Sequence, residues 1–295
     1  MDGLSRAWSS ARFAFDFAVV RRDRPFVLGL AVTDRCNLRC RHCRVWSAHA
    51  PHMPLAQIAA TLRRFHDRGA RLLYLEGGEP FLWRDGELRL ADVVGLARRL
   101  GYLRVHIYSN GTLPLDAPAD FVWVSADGLH ETNFALRGSN LDQVLDHARD
   151  CATKKAMLFT VNSVNHQDIL PFLELVREAL PGVPVMFNLH TPYYGQDELL
   201  LDEHTRNSVL DTLADCKRIG LPVMNSLPAM ERLRPGRGSG PRGLWYVVDG
   251  SGEYRCCRAL GDPAVCNHCG YAACEEILLL RNFNPRALAS MIGCL

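Results

Sequence analysis

From residue 26 the chain alternates short apolar runs with stretches of helical periodicity, and this alternation limits the possible folds more than any other feature. "FVLGLAVT" (26–33), "RLLYLE" (71–76), "LRVHIY" (103–108), "DFVWVSA" (120–126), "AMLFTVN" (156–162) and "VPVMFNLH" (183–190) read as six buried strands. Between them, Leu55, Ile58, Leu62 and Phe65 recur at helical spacing after Pro54, a good first-turn residue. "LADVVGLARRLG" (90–101) is a helix closed by Gly101, and residues 139–152, 166–179 and 203–219 are also helical. Strands joined by such crossovers pair in parallel, with right-handed connections. The expectation is an α/β fold, a partial (β/α)6 barrel of parallel strands over residues 26–231. Residues 109–119 are too few for a full helix, so that connection crosses with a turn or two.

Two segments flank this barrel. Residues 1–25 hold "AWSSARFAFDFAVV" (7–20), read as a lead-in helix packed on the domain, with an amphipathic helix on a membrane surface as the alternative. Residues 232–295 open with a Gly-, Pro- and Arg-rich linker (232–243). "LWYVVDGSGEYRCC" then predicts a hairpin turning at Asp249-Gly250, before a Cys-rich tail.

No secretory signal and no apolar run of the roughly 20 residues a spanning helix needs are visible, so a cytoplasmic location is expected. There, eleven cysteines argue for metal or redox chemistry over disulfides. Cys36, Cys40 and Cys43 form one group; Cys256, Cys257, Cys266, Cys269 and Cys274 form another. Cys151, Cys216 and Cys294 stand alone and read as inert thiols. A net charge of +2 with no basic stripe gives no reason to expect a nucleic-acid partner.

Parallel α/β folds present their sites at the carboxyl ends of the strands. After the first strand comes "TDRCNLRCRHCR" (33–44); after the second, Gly77-Gly78-Glu79-Pro80. Ser109 and Asn110 follow the third, Ser125 and Asp127 the fourth; Asn162 ends the fifth and His190 the sixth. Cys-x3-Cys-x2-Cys followed by Gly-Gly-Glu-Pro, in this order and strand context, resembles the radical S-adenosylmethionine (radical SAM) superfamily over residues 26–190.

A cubane cluster has four irons, each wanting a thiolate, and three cysteines leave one iron open. The resemblance implies that this iron chelates S-adenosylmethionine, whose reductive cleavage gives a 5′-deoxyadenosyl radical that abstracts hydrogen from substrate. It implies Gly77 to Pro80 as the methionine contact, the glycines allowing close backbone approach, and His42 as a residue near the adenine. Ser109, Asn110, Ser125, Asp127 and Asn162 are candidates for ribose or carboxylate contacts; strand-end capping is their competing role. An external electron donor of flavodoxin or ferredoxin type is implied as well.

The tail resembles the SPASM and Twitch extensions of that superfamily, with Gly252 five residues before Cys257. One auxiliary [4Fe–4S] cluster is expected, on Cys266, Cys269, Cys274 and either Cys256 or Cys257. Adjacent cysteines in an extended segment point opposite ways, so only one of that pair is expected to ligate. A four-thiolate zinc site is the rival. Arg137, His190, Tyr193 and Tyr194 are candidate substrate-side groups. The substrate is expected to be a small molecule such as a sugar, aminocyclitol, nucleoside or cofactor precursor. The alternatives are a peptide maturase, a lipid-modifying enzyme at a membrane surface and a non-catalytic electron carrier.

Overall fold

The computed structural model describes residues 8, 11–13, 15–17, 24–193, 195, 197–236 and 243–291. All six predicted strands are present: β1 (Val27–Thr33), β2 (Leu72–Gly77), β3 (Arg104–Ser109), β4 (Phe121–Ser125), β5 (Lys155–Val161) and β6 (Val185–Leu189). Each pairs in parallel with its predecessor. Two further strands, β7 (Trp245–Val248) and β8 (Glu253–Arg255), form the hairpin expected from the sequence, with Asp249 to Gly252 as its turn. That hairpin joins the main sheet: β7 runs parallel to β1, giving the order β6-β5-β4-β3-β2-β1-β7-β8. The sheet stays open, with β6 and β8 at its edges.

The predicted helices are α1 (Leu55–Arg68), α2 (Leu90–Arg99), α4 (Leu141–Asp150), α5 (Ile169–Ala179) and α6 (Glu203–Arg218), with α3 (His130–Arg137) inserted between β4 and α4. α7 (Leu227–Arg232) closes the barrel segment, and the tail adds α8 (Pro263–Cys266), α9 (Ala272–Arg281) and α10 (Pro285–Met291). The short connection between β3 and β4 contains no helix, as its length requires.

Side-chain alternation separates two cores. Leu28, Leu30, Val32, Leu73 and Leu75 meet Ile58, Leu62 and Phe65 of α1 on one face. Val27, Leu72, Tyr74 and Trp245 face the other way, toward Phe13, Phe26, Cys274 and Ile277. β1 is buried along its whole length, which explains why it reads as an unbroken apolar run. The described part of the lead-in segment is helical and packed on this second core: Phe13 and Phe17 lie 5.2 and 4.8 Å from the Phe26 ring. Asp16 pairs with Arg71 at 3.3 Å. Among the described residues no helix is long and apolar enough to cross a membrane.

Candidate active site

The triplet loop leaves β1 and is clamped from several sides. Cys36 N–H donates to the Ser47 carbonyl (3.2 Å), Ser47 N–H to Asp34 (2.6 Å), and Cys43 N–H back to Cys40 (3.1 Å). The loop also docks on the carboxyl end of α3. There Arg41 N–H meets the Leu136 carbonyl at 2.8 Å, and the Cys40 thiol lies 3.7 Å from the Arg137 carbonyl. Burial pushes all three thiols above the ordinary thiol range, and the thiols feel one another's charge.

The Gly-Gly-Glu-Pro segment extends the β1–β2 ladder past the strand ends. Gly78 N–H bonds the Thr33 carbonyl and Glu79 N–H the Arg35 carbonyl, both at 2.8 Å. A Cβ on Gly77, which sits at φ +135°, would lie 2.0 Å from the Thr33 carbonyl oxygen; one on Gly78 would lie 2.2 Å from that of Arg35. Both glycines are therefore demanded by the cysteine loop's own backbone. Glu79 turns inward, fully buried, and accepts from Ser109 Oγ (3.0 Å), Asn110 N–H (2.7 Å) and Phe81 N–H (3.1 Å). Burial raises its carboxyl to about 7, against the pull of these donors.

Several rim residues that are candidates for ribose or carboxylate contacts also brace the loops. Asn110 donates to Asn37 Oδ1 (2.9 Å) and reaches Cys36 Sγ at 3.9 Å, while Asn37 donates to Thr112 (2.7 Å). Asp127 is fully buried, accepting from Thr160 N–H and the Arg137 guanidinium, both at 2.6 Å. Asn162 accepts from Val164 N–H (2.9 Å) in its own turn and is held by Asn165, whose amide also donates to the Asp127 carbonyl (3.1 Å). Ser125, at the end of β4, is half-buried. Arg137, predicted to face substrate, is buried and ion-paired behind Cys40. Sequence reasoning missed Asn37, Thr112, Asn133 and Asn165; an Asn-rich rim was the available signal.

The tail cysteines gather at the β6 end. Gly270 is locked there: its N–H donates to Thr191 Oγ1 (3.0 Å), and its carbonyl accepts from Leu189 N–H (2.9 Å). Ala272 N–H caps this contact on Asn188 Oδ1 at 3.0 Å. A Cβ on Gly270 would lie 2.0 Å from the Leu189 carbonyl oxygen. Arg206 spends its guanidinium on the carbonyls of Leu233, His268 and Cys269, fixing the loop from below.

Cys256, Cys257, Cys266 and Cys269 line a cavity of about 290 Å³. Cys274 is buried behind it, in contact with Cys256. The expectation that Cys256 and Cys257 diverge does not hold. Cys256 is left-handed (φ +62°), so the segment is not extended there, and both thiols reach the same cavity. A smaller cavity of about 80 Å³ adjoins it, lined by His42, Thr160, Asn188, Leu189 and His190; Thr191, Tyr193 and Tyr271 belong to both. Of the predicted substrate-side groups, His190 and Tyr193 thus reach a cavity, and Tyr194 lies outside the described residues.

Residues 30–176 match the Radical SAM superfamily. They are a radical SAM domain. The chain is 27% identical over 218 residues to Fe-coproporphyrin III synthase of Methanosarcina barkeri, covering 68% of this chain and 53% of the relative. It is 31% identical over 183 residues to pre-heme d1 synthase of Dinoroseobacter shibae, covering 56% and 43%. The chain thus spans about half the length of these curated relatives. Its fold is like that of Streptococcus suis SuiB bound to the precursor peptide SuiA: TM-score 0.64, 14% identity, 95% of this chain and 69% of SuiB.

Radical SAM domains hold a [4Fe–4S] cluster and S-adenosylmethionine, and the residues present fit both. Three thiols at the strand rim can occupy three irons. Beside them, His42 Nδ1 and Arg137 Nε are buried with no hydrogen-bond partner among the described residues, which suits a polar ligand. Burial lowers His42 to about 4, so its ring is neutral, and its Nε2 lies 3.7 Å from Asp127. In the tail, four thiols surround a cavity. Among the described residues, no three His, Cys, Asp or Glu side chains converge on a single ion's position.

Proposed function

We propose that the chain is a radical SAM enzyme that oxidises or rearranges a small organic molecule of the cofactor-precursor class, with an auxiliary cluster on the tail cysteines. The carrying observation is the pair of adjoining cavities, one lined by His42 on the triplet side and one by the tail cysteines, that share Thr191, Tyr193 and Tyr271 as walls. When bound, the first cluster supplies the electron that cleaves S-adenosylmethionine to the hydrogen-abstracting radical. The chain's own residues do the rest. Cys36, Cys40 and Cys43 hold three irons, and the Gly77–Pro80 backbone fixes the loop beside them. Neutral His42 and the Asp127–Arg137 pair offer polar groups without a mobile charge. His190 and Tyr193 wall the substrate side, where a buried histidine can hold or accept a proton.

The two curated relatives are named as synthases of a coproporphyrin and a heme precursor, which favours a small molecule. The likeness to SuiB concerns the fold alone. The test is anaerobic reconstitution followed by deuterium transfer from labelled tetrapyrrole precursors, or from peptides, into 5′-deoxyadenosine. Label from a tetrapyrrole supports the reading. Label only from a peptide, or no 5′-deoxyadenosine with a reduced cluster present, overturns it.

A further inference from the structure

Tyr193 occupies the boundary between the two cavities and lines both. Its position is fixed locally: its N–H donates to the Thr191 carbonyl at 2.8 Å, and Thr191 Oγ1 grips Gly270, next to Cys269. Its ring leans on Tyr271, with centroids 5.7 Å apart. Tyr193 and Cys257 line the same cavity, with their side chains in hydrogen-bond contact. The same side chain therefore touches a metal-side thiol on one flank and the chamber shared with His42 and His190 on the other.

Resting on the auxiliary-cluster reading above, we propose that Tyr193 is a positioning residue of the auxiliary site, donating a hydrogen bond to the Cys257 ligand and coupling that cluster's potential to occupancy of the smaller cavity. A donor on a ligand sulfur withdraws electron density and favours the reduced cluster. Tyr193 lines both cavities and touches Cys257, so a guest in the chamber can act on that sulfur through it. A guest that draws the hydroxyl away from Cys257 makes the cluster harder to reduce.

The experiment is an EPR-monitored redox titration of the reconstituted holoenzyme and of Tyr193→Phe, with iron counted in each. The expected result is about eight irons per chain in both. The variant's auxiliary cluster should be roughly tenfold harder to reduce, ~59 mV more negative for a one-electron couple. The triplet cluster should not move. Wild-type protein gives an independent readout: the Fe–S(Cys) modes of the auxiliary cluster should shift between H2O and D2O in resonance Raman, and the shift should shrink in Tyr193→Phe, leaving the part due to backbone N–H groups such as that of Gly261 on Cys266. Eight irons with an unmoved potential and the same isotope shift in both proteins overturn the proposal alone. About four irons in wild type, with one EPR signal, overturn the auxiliary-cluster reading beneath it.

Discussion

The two cysteine groups sit on the same rim but are carried by different scaffolding. The triplet loop grows out of β1 and is clamped by the ends of β2 and β3 and by α3, all in the center of one sheet. In the tail group, Cys256 and Cys257 follow β8, while the Cys266–Cys269 loop is moored to the edge strand β6 through Gly270 and Ala272, and from below by Arg206. One device recurs. Behind the triplet, buried Glu79 accepts a serine hydroxyl and backbone N–H groups; behind the tail, buried Glu276 accepts the hydroxyl and N–H of Ser226 at 2.8 and 2.6 Å. The lesson is that the triplet, like Cys256 (whose N–H meets the Trp245 carbonyl of β7 at 2.7 Å), is part of the sheet's own hydrogen bonding, whereas Cys266 and Cys269 sit on a loop outside it.

The sharpest way to break this comparison is at the ligands. Cys40→Ala should abolish 5′-deoxyadenosine formation while keeping about four irons. Cys269→Ala should also keep about four irons but retain cleavage, losing product instead. Liquid chromatography of 5′-deoxyadenosine with iron analysis checks both; loss of cleavage in Cys269→Ala would show that the groups are not separable.

A smaller contrast lies in the glycines. Both Gly77→Ala and Gly270→Ala place a Cβ 2.0 Å from a carbonyl oxygen, and Gly77 adds a left-handed φ. We expect Gly77→Ala to destabilise the whole domain by roughly 2–4 kcal/mol, a clash plus strain. Gly270→Ala, without the left-handed strain and at the sheet edge, should lower the thermal midpoint of the apoprotein less than Gly77→Ala and remove the tail's iron. Thermal melts with iron analysis decide. A loss in Gly270→Ala as large as that in Gly77→Ala would make the tail integral.

The smallest effect concerns the two glutamates, whose carboxyls burial raises to about 7. Because each binds its proton more tightly folded than unfolded, its stabilising contribution is full below the ordinary carboxylate pKa near 4.5. It is lost as pH rises through about 7. Apoprotein melts should fall by a few degrees between about pH 5 and about pH 8. Glu79→Gln and Glu276→Gln should each flatten part of that slope; an unchanged slope in both variants would refute the assignment.

The sequence was most legible where signals are local. Six strands and five helices follow from apolar periodicity, and the rim follows from what comes after each strand. The β7–β1 pairing was hidden, because strand partners some 200 residues apart leave no mark in either segment. α3 was hidden because "HETNFALR" is mostly polar, with Asn133 buried for its hydrogen bonds and not for apolar area. At the site, the polar residue types were legible but not the loop contacts they make. Asn110, Asp127 and Asn162 carry the right polar atoms for a ligand, and the loops use much of that capacity themselves. The left-handed turn at Cys256 could not be read from a residue type that seldom adopts it.

The insertion of β7 beside β1 has a consequence for biosynthesis. Until about residue 248 has cleared the ribosome, β1, apolar and buried along its length in the folded chain, is an open strand edge in a nearly complete parallel sheet. The nascent chain thus holds its most aggregation-prone surface bare through the making of more than 200 residues. A polypeptide released before β7 would expose that edge to any neighbour able to add a strand. Truncation in the linker should therefore be read as damage to the first strand made, and not as removal of a dispensable tail.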